Sequence, residues 1–182
     1  SVEDELRRIE EEMKRLNEKV ERDSRRVLKE VEDLNREIKK RSDDLEREIR
    51  RLLEEVKRRK SKDEEKLRRI KELVERLKEE NRKMNEDSKR STDRLREENK
   101  KVNEDSKRSS EEIKRRADDV RKRNGDIREL LKELRKILDD NRETARKVLE
   151  DSKRIIERNK REAEKLERRS RKILKDIEDE AR

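Results

Sequence analysis

A serine next to a lysine is the arrangement in this sequence that comes closest to a catalytic pair, because an amine can activate a hydroxyl as a nucleophile. Ser88 and Lys89 are one example. If the segment is helical, neighbouring residues point about 100° apart, so this hydroxyl and this amine face different directions. No other base lies on the face that carries the serine. We therefore predict that the serines are structural and that the protein is not an enzyme.

Adjacent acidic residues are the second candidate, since carboxylates bind calcium and act as acid and base in glycosidases. The pairs Asp43-Asp44, Asp118-Asp119 and Asp139-Asp140 lie on separate segments, outside the apolar stripe described below, and are predicted to be solvated. The sequence has no His and no Cys, and so lacks the usual ligands of zinc, haem and iron–sulfur clusters. We expect no cofactor and no metal site.

The chain is highly charged, with both signs. Of 182 residues, 62 are Lys or Arg and 53 are Asp or Glu, for a net charge of +9. Acidic residues are interleaved with the basic ones throughout, and no aromatic residue is present to stack on bases, so no specific nucleic acid is expected. Apolar runs never exceed two residues, too few for a transmembrane helix or a signal peptide. We predict a soluble protein, in the cytoplasm of an expression host, that needs no partner.

The positions of the scarce apolar residues predict a fold rather than disorder. Only 24% of residues are hydrophobic, a composition shared with disordered chains. From Val2 to Val56, however, apolar residues recur with gaps of four and three, provided that Ser24 and Ser42 are counted in the series. This spacing is that of one helix face.

The pattern repeats every 18 residues. Residues 85–91, with the sequence NEDSKRS, recur unchanged as residues 103–109. Eighteen residues make five helical turns, so the apolar stripe returns to its starting angle and requires almost no supercoil. The repeat therefore predicts long, nearly untwisted helices.

Capping residues predict two breaks in the helical pattern. Asn124-Gly125-Asp126 combines a glycine suited to a helix end with an Asp N-cap, and Ser61 with Glu64 resembles a capping box. We predict helices at about 2–60, 63–123 and 127–181 within a single domain, 1–182. Because the turns are short, neighbouring helices are antiparallel. The expected fold is all-α: an elongated up-down-up antiparallel three-helix bundle.

Polar residues interrupt the apolar stripe of each helix at matching heights. Antiparallel helices with turns near residues 61–62 and 125 bring these positions into four polar layers, which we expect to hydrogen-bond across the core because unpaired buried polar groups are costly. The layers are the first (Asn17, Ser106, Asn141), the second (Ser24, Asn99, Ser152), the third (Asn35, Ser88, Asn159) and the fourth (Ser42, Asn81, Ser170). Auxiliary members or small packing positions are Asn85, Ser91, Thr92, Asn103, Ser109 and Ser110.

Together, the 18-residue repeat, the Ser/Asn layers, the capping turns and the missing residue types resemble de novo designed helical bundles with buried hydrogen-bond networks. The resemblance implies a structural scaffold without natural biochemical activity, a rigid helical rod whose layers specify register. A monomer is favoured, and a homo-oligomer is the alternative. The alternative function is a helical interaction module, or a homo-oligomerising coiled-coil spacer, that packs its polar-apolar stripe on a partner.

Overall fold

The computed structural model describes residues 1–58, 64–122 and 127–181, apart from the side chain of Ala181. Three long helices account for nearly all of these residues: α1 (Val2–Arg58), α2 (Glu64–Lys122) and α3 (Arg128–Ala181). The described ranges contain no strand. The protein is a three-helix bundle, which confirms the predicted all-α class.

The first helix begins with a capping hydrogen bond. Ser1 Oγ accepts from the backbone N–H of Asp4 at 3.3 Å, which satisfies one of the N–H groups that a helix start leaves without partners. A separate hydrogen bond between the Asp4 carboxylate and Ser1, followed by the charge of the N-terminal ammonium, lowers the pKa of Asp4 below its ordinary value. The predicted turns around Ser61 and Gly125 lie outside the described residues.

The helices contribute to two compact units. Unit 1 comprises Ser1–Glu30 and Arg94–Arg154, and unit 2 comprises Val31–Asp93 and Ile155–Arg182. Each unit therefore contains a stretch of all three helices. The single domain expected over residues 1–182 stays a prediction.

Side-chain contacts within unit 1 give the directions of its helices. Glu3 contacts Arg121 and Asn17 contacts Ser106, so residue numbers rise along α1 while they fall along α2. Along α1 and α3 the numbers rise together, in the ion pairs Glu5–Arg135 and Glu12–Arg142. This is the up-down-up order that short turns require.

The core of unit 1 includes one apolar cluster to which all three helices contribute. Its buried members are Leu6, Ile9, Met13, Leu16, Val20, Val102, Ile113, Ala117, Val120, Leu131, Leu134 and Leu138. The cluster includes residues on both sides of the first polar layer in sequence, such as Met13 and Val20 around Asn17. Burial of these side chains supplies the main driving force for the association of the helices.

Two apolar clusters lie within the described part of unit 2. One holds Leu45, Ile49, Leu52, Val56, Ile70, Val74, Leu77, Ile173, Leu174 and Ile177, and the smaller one holds Ile38, Met84, Ala163 and Leu166. On every helix the fourth polar layer falls between the two clusters in sequence. On α3 the adjacent residues Ile155 and Ile156 are both buried, and so are Ile173 and Leu174, so the core face of this helix is wider than a single stripe.

None of the helices in the described ranges has a stretch long and apolar enough to cross a membrane. Their outer faces are instead covered by ion pairs between residues three or four positions apart, such as Glu3 with Arg7 and Glu21 with Arg25. Each such exposed pair stabilises a helix by only a few tenths of a kcal/mol, roughly 0.2–0.5. The apolar faces and the polar layers, rather than the surface pairs, therefore determine how the helices pack.

Candidate functional site: the buried Ser and Asn layers

The first layer is a chain of hydrogen bonds across all three helices. Asn141 Nδ2 donates to Ser106 Oγ at 3.1 Å, and the Ser106 hydroxyl donates to Asn17 Oδ1. Ser106 and Asn141 are buried, and Asn17 is partly buried. The single hydroxyl of Ser106 acts as both acceptor and donor, so it links an amide on α3 to an amide on α1.

The second layer is bonded in part. Asn99 Nδ2 donates to Ser152 Oγ at 2.9 Å and to the backbone carbonyl of Leu95, one turn earlier on α2, at 2.8 Å. Both amide protons of Asn99 therefore have acceptors. Ser24 is buried, but no side-chain hydrogen bond joins it to the other two members within the part of the chain that the structure describes. The layer connects α2 with α3 and leaves the α1 serine as a packing residue.

The third layer includes Thr92, one of the predicted auxiliary residues. Ser88 Oγ donates to Asn35 Oδ1, and Asn35 Nδ2 donates to Thr92 Oγ1, both at 2.7 Å. The Thr92 hydroxyl in turn donates to the backbone carbonyl of Ser88 at 2.8 Å. These bonds form a closed network between α1 and α2. The α3 member, Asn159, is buried, yet its Nδ2 has no hydrogen-bond partner in the protein.

The fourth layer also departs from the predicted membership. Asn85 Nδ2 donates to Ser42 Oγ at 2.8 Å, and Asn81 Nδ2 lies 3.4 Å from the backbone carbonyl of Ser42. Asn81 Oδ1 is buried without a partner. Ser170 is buried on α3, and among the described residues no side-chain hydrogen bond connects it to Ser42 or Asn81. This layer also joins α1 to α2 only.

Two of the six auxiliary residues therefore complete the networks. Thr92 takes a place beside Asn35, and Asn85 takes one beside Ser42. Asn103 Oδ1, by contrast, is buried without a partner. Ser109 and Ser110 are partly buried. Thr92 and Asn85 each lie four residues from a predicted layer member of α2, so they share its helix face.

An ion-pair cluster at one end of the unit 1 helices was not anticipated from the sequence. Arg121 Nη2 lies 2.6 Å from Glu10 Oε1, its Nε lies 3.1 Å from Glu3 Oε2, and its Nη1 lies 3.2 Å from Asp118 Oδ1. The hydrogen bond with Glu3 raises the pKa of the guanidinium further above its ordinary value. The spacing of Glu3 and Glu10 could have indicated this cluster, because they lie seven residues apart beside the apolar stripe. Charged residues at such positions influence which helices pair.

The residues considered as candidates for catalysis or metal binding do not form a common site in the described ranges. Ser88 is buried and donates to Asn35, while Lys89 is exposed. The acidic pairs Asp43-Asp44, Asp118-Asp119 and Asp139-Asp140 are all exposed. Within the described ranges no group of three or more acidic side chains is placed to hold a metal ion. The buried Ser and Asn residues are therefore the candidate functional groups of this molecule.

Comparisons of the chain with protein-family models, with curated proteins and with solved structures found no match.

Proposed function

We propose that the protein is a structural scaffold of the de novo designed kind, with no natural biochemical activity, in which buried Ser and Asn layers specify the register of the helices. The observation that carries this proposal is the chain from Asn141 through Ser106 to Asn17. It connects three helices through groups that are deeply or partly buried. A purely apolar interface would accept several offsets of similar energy, whereas these hydrogen bonds are satisfied at one offset only.

Misregistered states are disfavoured because they leave buried polar groups without partners. If one helix shifts by a turn, the amides of Asn17 and Asn141 and the hydroxyl of Ser106 lose their partners while they stay out of water. Each such group costs about 1–3 kcal/mol. Since whole domains are stable by only about 5–15 kcal/mol, a shifted bundle loses a large fraction of its stability. The layers thus act mainly by destabilising bundles in which a helix is out of register.

The burial of the apolar residues favours a scaffold over an interaction module. Of the large hydrophobic side chains in the described ranges, Val2 alone is exposed, at 40%. A module that packs its stripe on another chain would present a contiguous apolar patch to solvent. The stripe is instead used inside the two units.

The test replaces the twelve residues of the four layers with apolar ones, Asn by Leu and Ser by Val. Removing buried polar groups should raise the thermal midpoint, as in proteins whose buried polar networks were made apolar. It should also permit alternative oligomers, measured by light scattering behind size exclusion and by small-angle X-ray scattering. If the variant remains one monodisperse species with an unchanged scattering profile, the register role is wrong.

A matched control is Asn103→Leu. Asn103 belongs to the same face of α2 as Ser106, and its buried Oδ1 has no partner. This substitution adds apolar surface without removing a bond between helices. It should raise the midpoint and leave the protein a single species, which separates loss of register from increased hydrophobicity.

A further inference from the structure

Unit 2 contains a cavity of about 280 Å³ beside its third polar layer. Its apolar wall is formed by Ile38 of α1, Met84 of α2, and Ala163 and Leu166 of α3. These four residues are the smaller apolar cluster of the unit. The cavity is therefore a gap among residues that would otherwise be expected to fill the core.

The polar end of this cavity carries an unused donor. Asn159 lines the cavity and is 7% exposed, and its Nδ2 is buried without a hydrogen-bond partner. Ser88 lines the same end, and its hydroxyl proton is already donated to Asn35 Oδ1. The cavity thus offers the N–H groups of Asn159 as donors and the lone pairs of Ser88 Oγ as acceptors.

Comparison with the first layer identifies the hydrogen bond that the third layer lacks. There Asn141, one 18-residue repeat before Asn159, donates directly to Ser106 Oγ, one repeat after Ser88. In the third layer the corresponding bond from Asn159 to Ser88 is absent, and the space beside both residues is open. An oxygen atom placed in that space would supply the missing acceptor.

We propose that this cavity binds a small, neutral and largely apolar molecule with one hydrogen-bond-accepting oxygen, which Asn159 Nδ2 recognises. An apolar cavity of about 150 Å³ is enough to hold benzene, so this one accommodates a ligand of roughly ten non-hydrogen atoms. The apolar body of the ligand packs against Ile38, Met84, Ala163 and Leu166.

The rim and the wall determine the class of ligand. Arg90, Arg158, Asp87 and Glu162 border the cavity, so both charge signs are present and neither a cation nor an anion is favoured. A single water molecule that bridges Asn159 Nδ2 and Ser88 Oγ leaves the apolar part of the wall without contacts, whereas an organic molecule supplies them. An aromatic ketone satisfies both the wall and the donor.

Unit 1 provides an internal comparison. It has a cavity of about 270 Å³, lined by residues that include Leu16, Val20, Asn99 and Ala145. The amide of Asn99 already donates to Ser152 Oγ and to the Leu95 carbonyl. This cavity therefore has similar volume but no unused amide donor from its layer. Ser24 also lines it, so the free polar group that its layer offers there is a serine hydroxyl.

The experiment uses the full chain labelled with ¹³C at its methionine methyl groups. The chain has two methionines: Met84 lines the proposed site, and Met13 belongs to the core of unit 1. The probes are acetophenone and α-methylstyrene, which have nearly the same shape but differ in the oxygen. Acetophenone should shift the Met84 methyl resonance saturably, with a dissociation constant on the order of 1 mM, and leave Met13 unmoved.

The ketone oxygen of acetophenone should strengthen binding by about the free energy of one hydrogen bond. We expect α-methylstyrene to bind about threefold to tenfold more weakly than acetophenone. Equal binding of the two probes would overturn the role of Asn159. No shift of Met84 with either probe would overturn the site itself.

Two variants isolate the site. Asn159→Leu removes the donor and should abolish the preference for acetophenone. Ala163→Leu, one turn further along α3, fills the apolar part of the cavity and should abolish binding of both probes. Ala145→Leu fills the unit 1 cavity and should leave the Met84 titration unchanged. Circular dichroism melting curves establish that each variant is folded. Undiminished preference for acetophenone in Asn159→Leu would contradict the proposal.

Discussion

The two units are built from the same repeat, yet their polar layers are satisfied differently. In unit 1 the first layer connects α1, α2 and α3 through Ser106, and the second layer uses both amide protons of Asn99. In unit 2 the bonds of both layers join α1 to α2, and Asn159 Nδ2 and Asn81 Oδ1 are buried without partners. The same residue types at repeated positions therefore do not ensure the same bonds.

The apolar packing differs in a parallel way. In unit 1 a single cluster includes residues on both sides of the first layer. In unit 2 the residues of the fourth layer fall between two separate clusters, and a cavity adjoins the third layer. A bonded polar layer can thus be accommodated within one apolar cluster. A cavity or an unpaired group does not by itself distinguish the units, because unit 1 has a cavity of about 270 Å³ lined by Asn99 of its second layer, and Asn103 Oδ1 of unit 1 is buried without a partner.

The largest expected effect comes from truncating the apolar cores, where the units should be alike. Leu134 of unit 1 is 1% exposed and Leu77 of unit 2 is 0% exposed. Leu134→Ala and Leu77→Ala should each lower the free energy of unfolding by about 2–5 kcal/mol, through lost burial and the cavity left behind. Chemical denaturation measures both. A cost below about 1 kcal/mol in one unit alone would mean that the units differ in their apolar cores as well.

The second prediction contrasts two buried serines. Ser106→Ala should cost about 2 kcal/mol, because it leaves Asn17 Oδ1 and Asn141 Nδ2 without their partner. Ser170→Ala in unit 2 should change stability by less than about 0.5 kcal/mol, since no bond to its layer partners is lost. Thermal and denaturant unfolding of the two variants provide the measurement. Equal costs would remove the distinction between bonded and unbonded layers.

The third prediction exchanges asparagines one repeat apart. Asn159→Leu should raise the free energy of unfolding by about 1–2 kcal/mol, because it replaces an unpaired buried amide with an apolar side chain. Asn141→Leu should instead lower it by about 1 kcal/mol, because it removes the donor to Ser106. Opposite signs in denaturant unfolding are the expected result. A stabilising effect of similar size at both sites would contradict our interpretation of the first layer.

The smallest expected effect lies on the surface, where the units should again be equivalent. A hydrogen bond from Arg82 lowers the pKa of Glu79 in unit 2, and one from Arg146 lowers that of Glu143 in unit 1, both from an ordinary value of 4.5. A carboxylate whose pKa is lower in the folded state contributes stability above its unfolded pKa. That contribution is lost as the pH falls through the folded pKa.

Carbon-detected NMR titration of the two side chains should therefore give pKa values below 4.5 for both Glu79 and Glu143. Arg82→Gln and Arg146→Gln should return each to its ordinary range. Because both carboxylates are fully exposed, the effect on overall stability is small. A shift in one unit alone would show that the surfaces also differ.

Much of this fold could be predicted from the sequence because its determinants are local and periodic. The spacing of apolar residues from Val2 to Val56 defines a helix face irrespective of its partner. The N-cap at Ser1 depends on residues within one turn of it. Even the heights of the layers follow from arithmetic, since a short turn aligns two antiparallel helices to within a few residues.

The partners within each layer were harder to predict. Thr92 and Asn85 add cross-helix bonds to the layers of unit 2, whereas the predicted α3 members, Asn159 and Ser170, are not bonded to their layer partners among the described residues. A candidate four residues away lies on the same helix face and about 6 Å along the axis, so helix periodicity cannot separate it from the predicted member. The Arg121 cluster was missed for a related reason, since its three acidic partners lie on two helices.

The sequence by itself determined that there are three helices, which face of each is buried, and at what heights polar residues enter the core. It could do so because helix geometry depends only on residue spacing and local capping. Only the tertiary structure decided which of those polar residues are bonded and where the core remains open. A hydrogen bond requires donor and acceptor to meet within a few tenths of an ångström of about 2.9 Å, and that distance depends on the rotation and offset of packed helices.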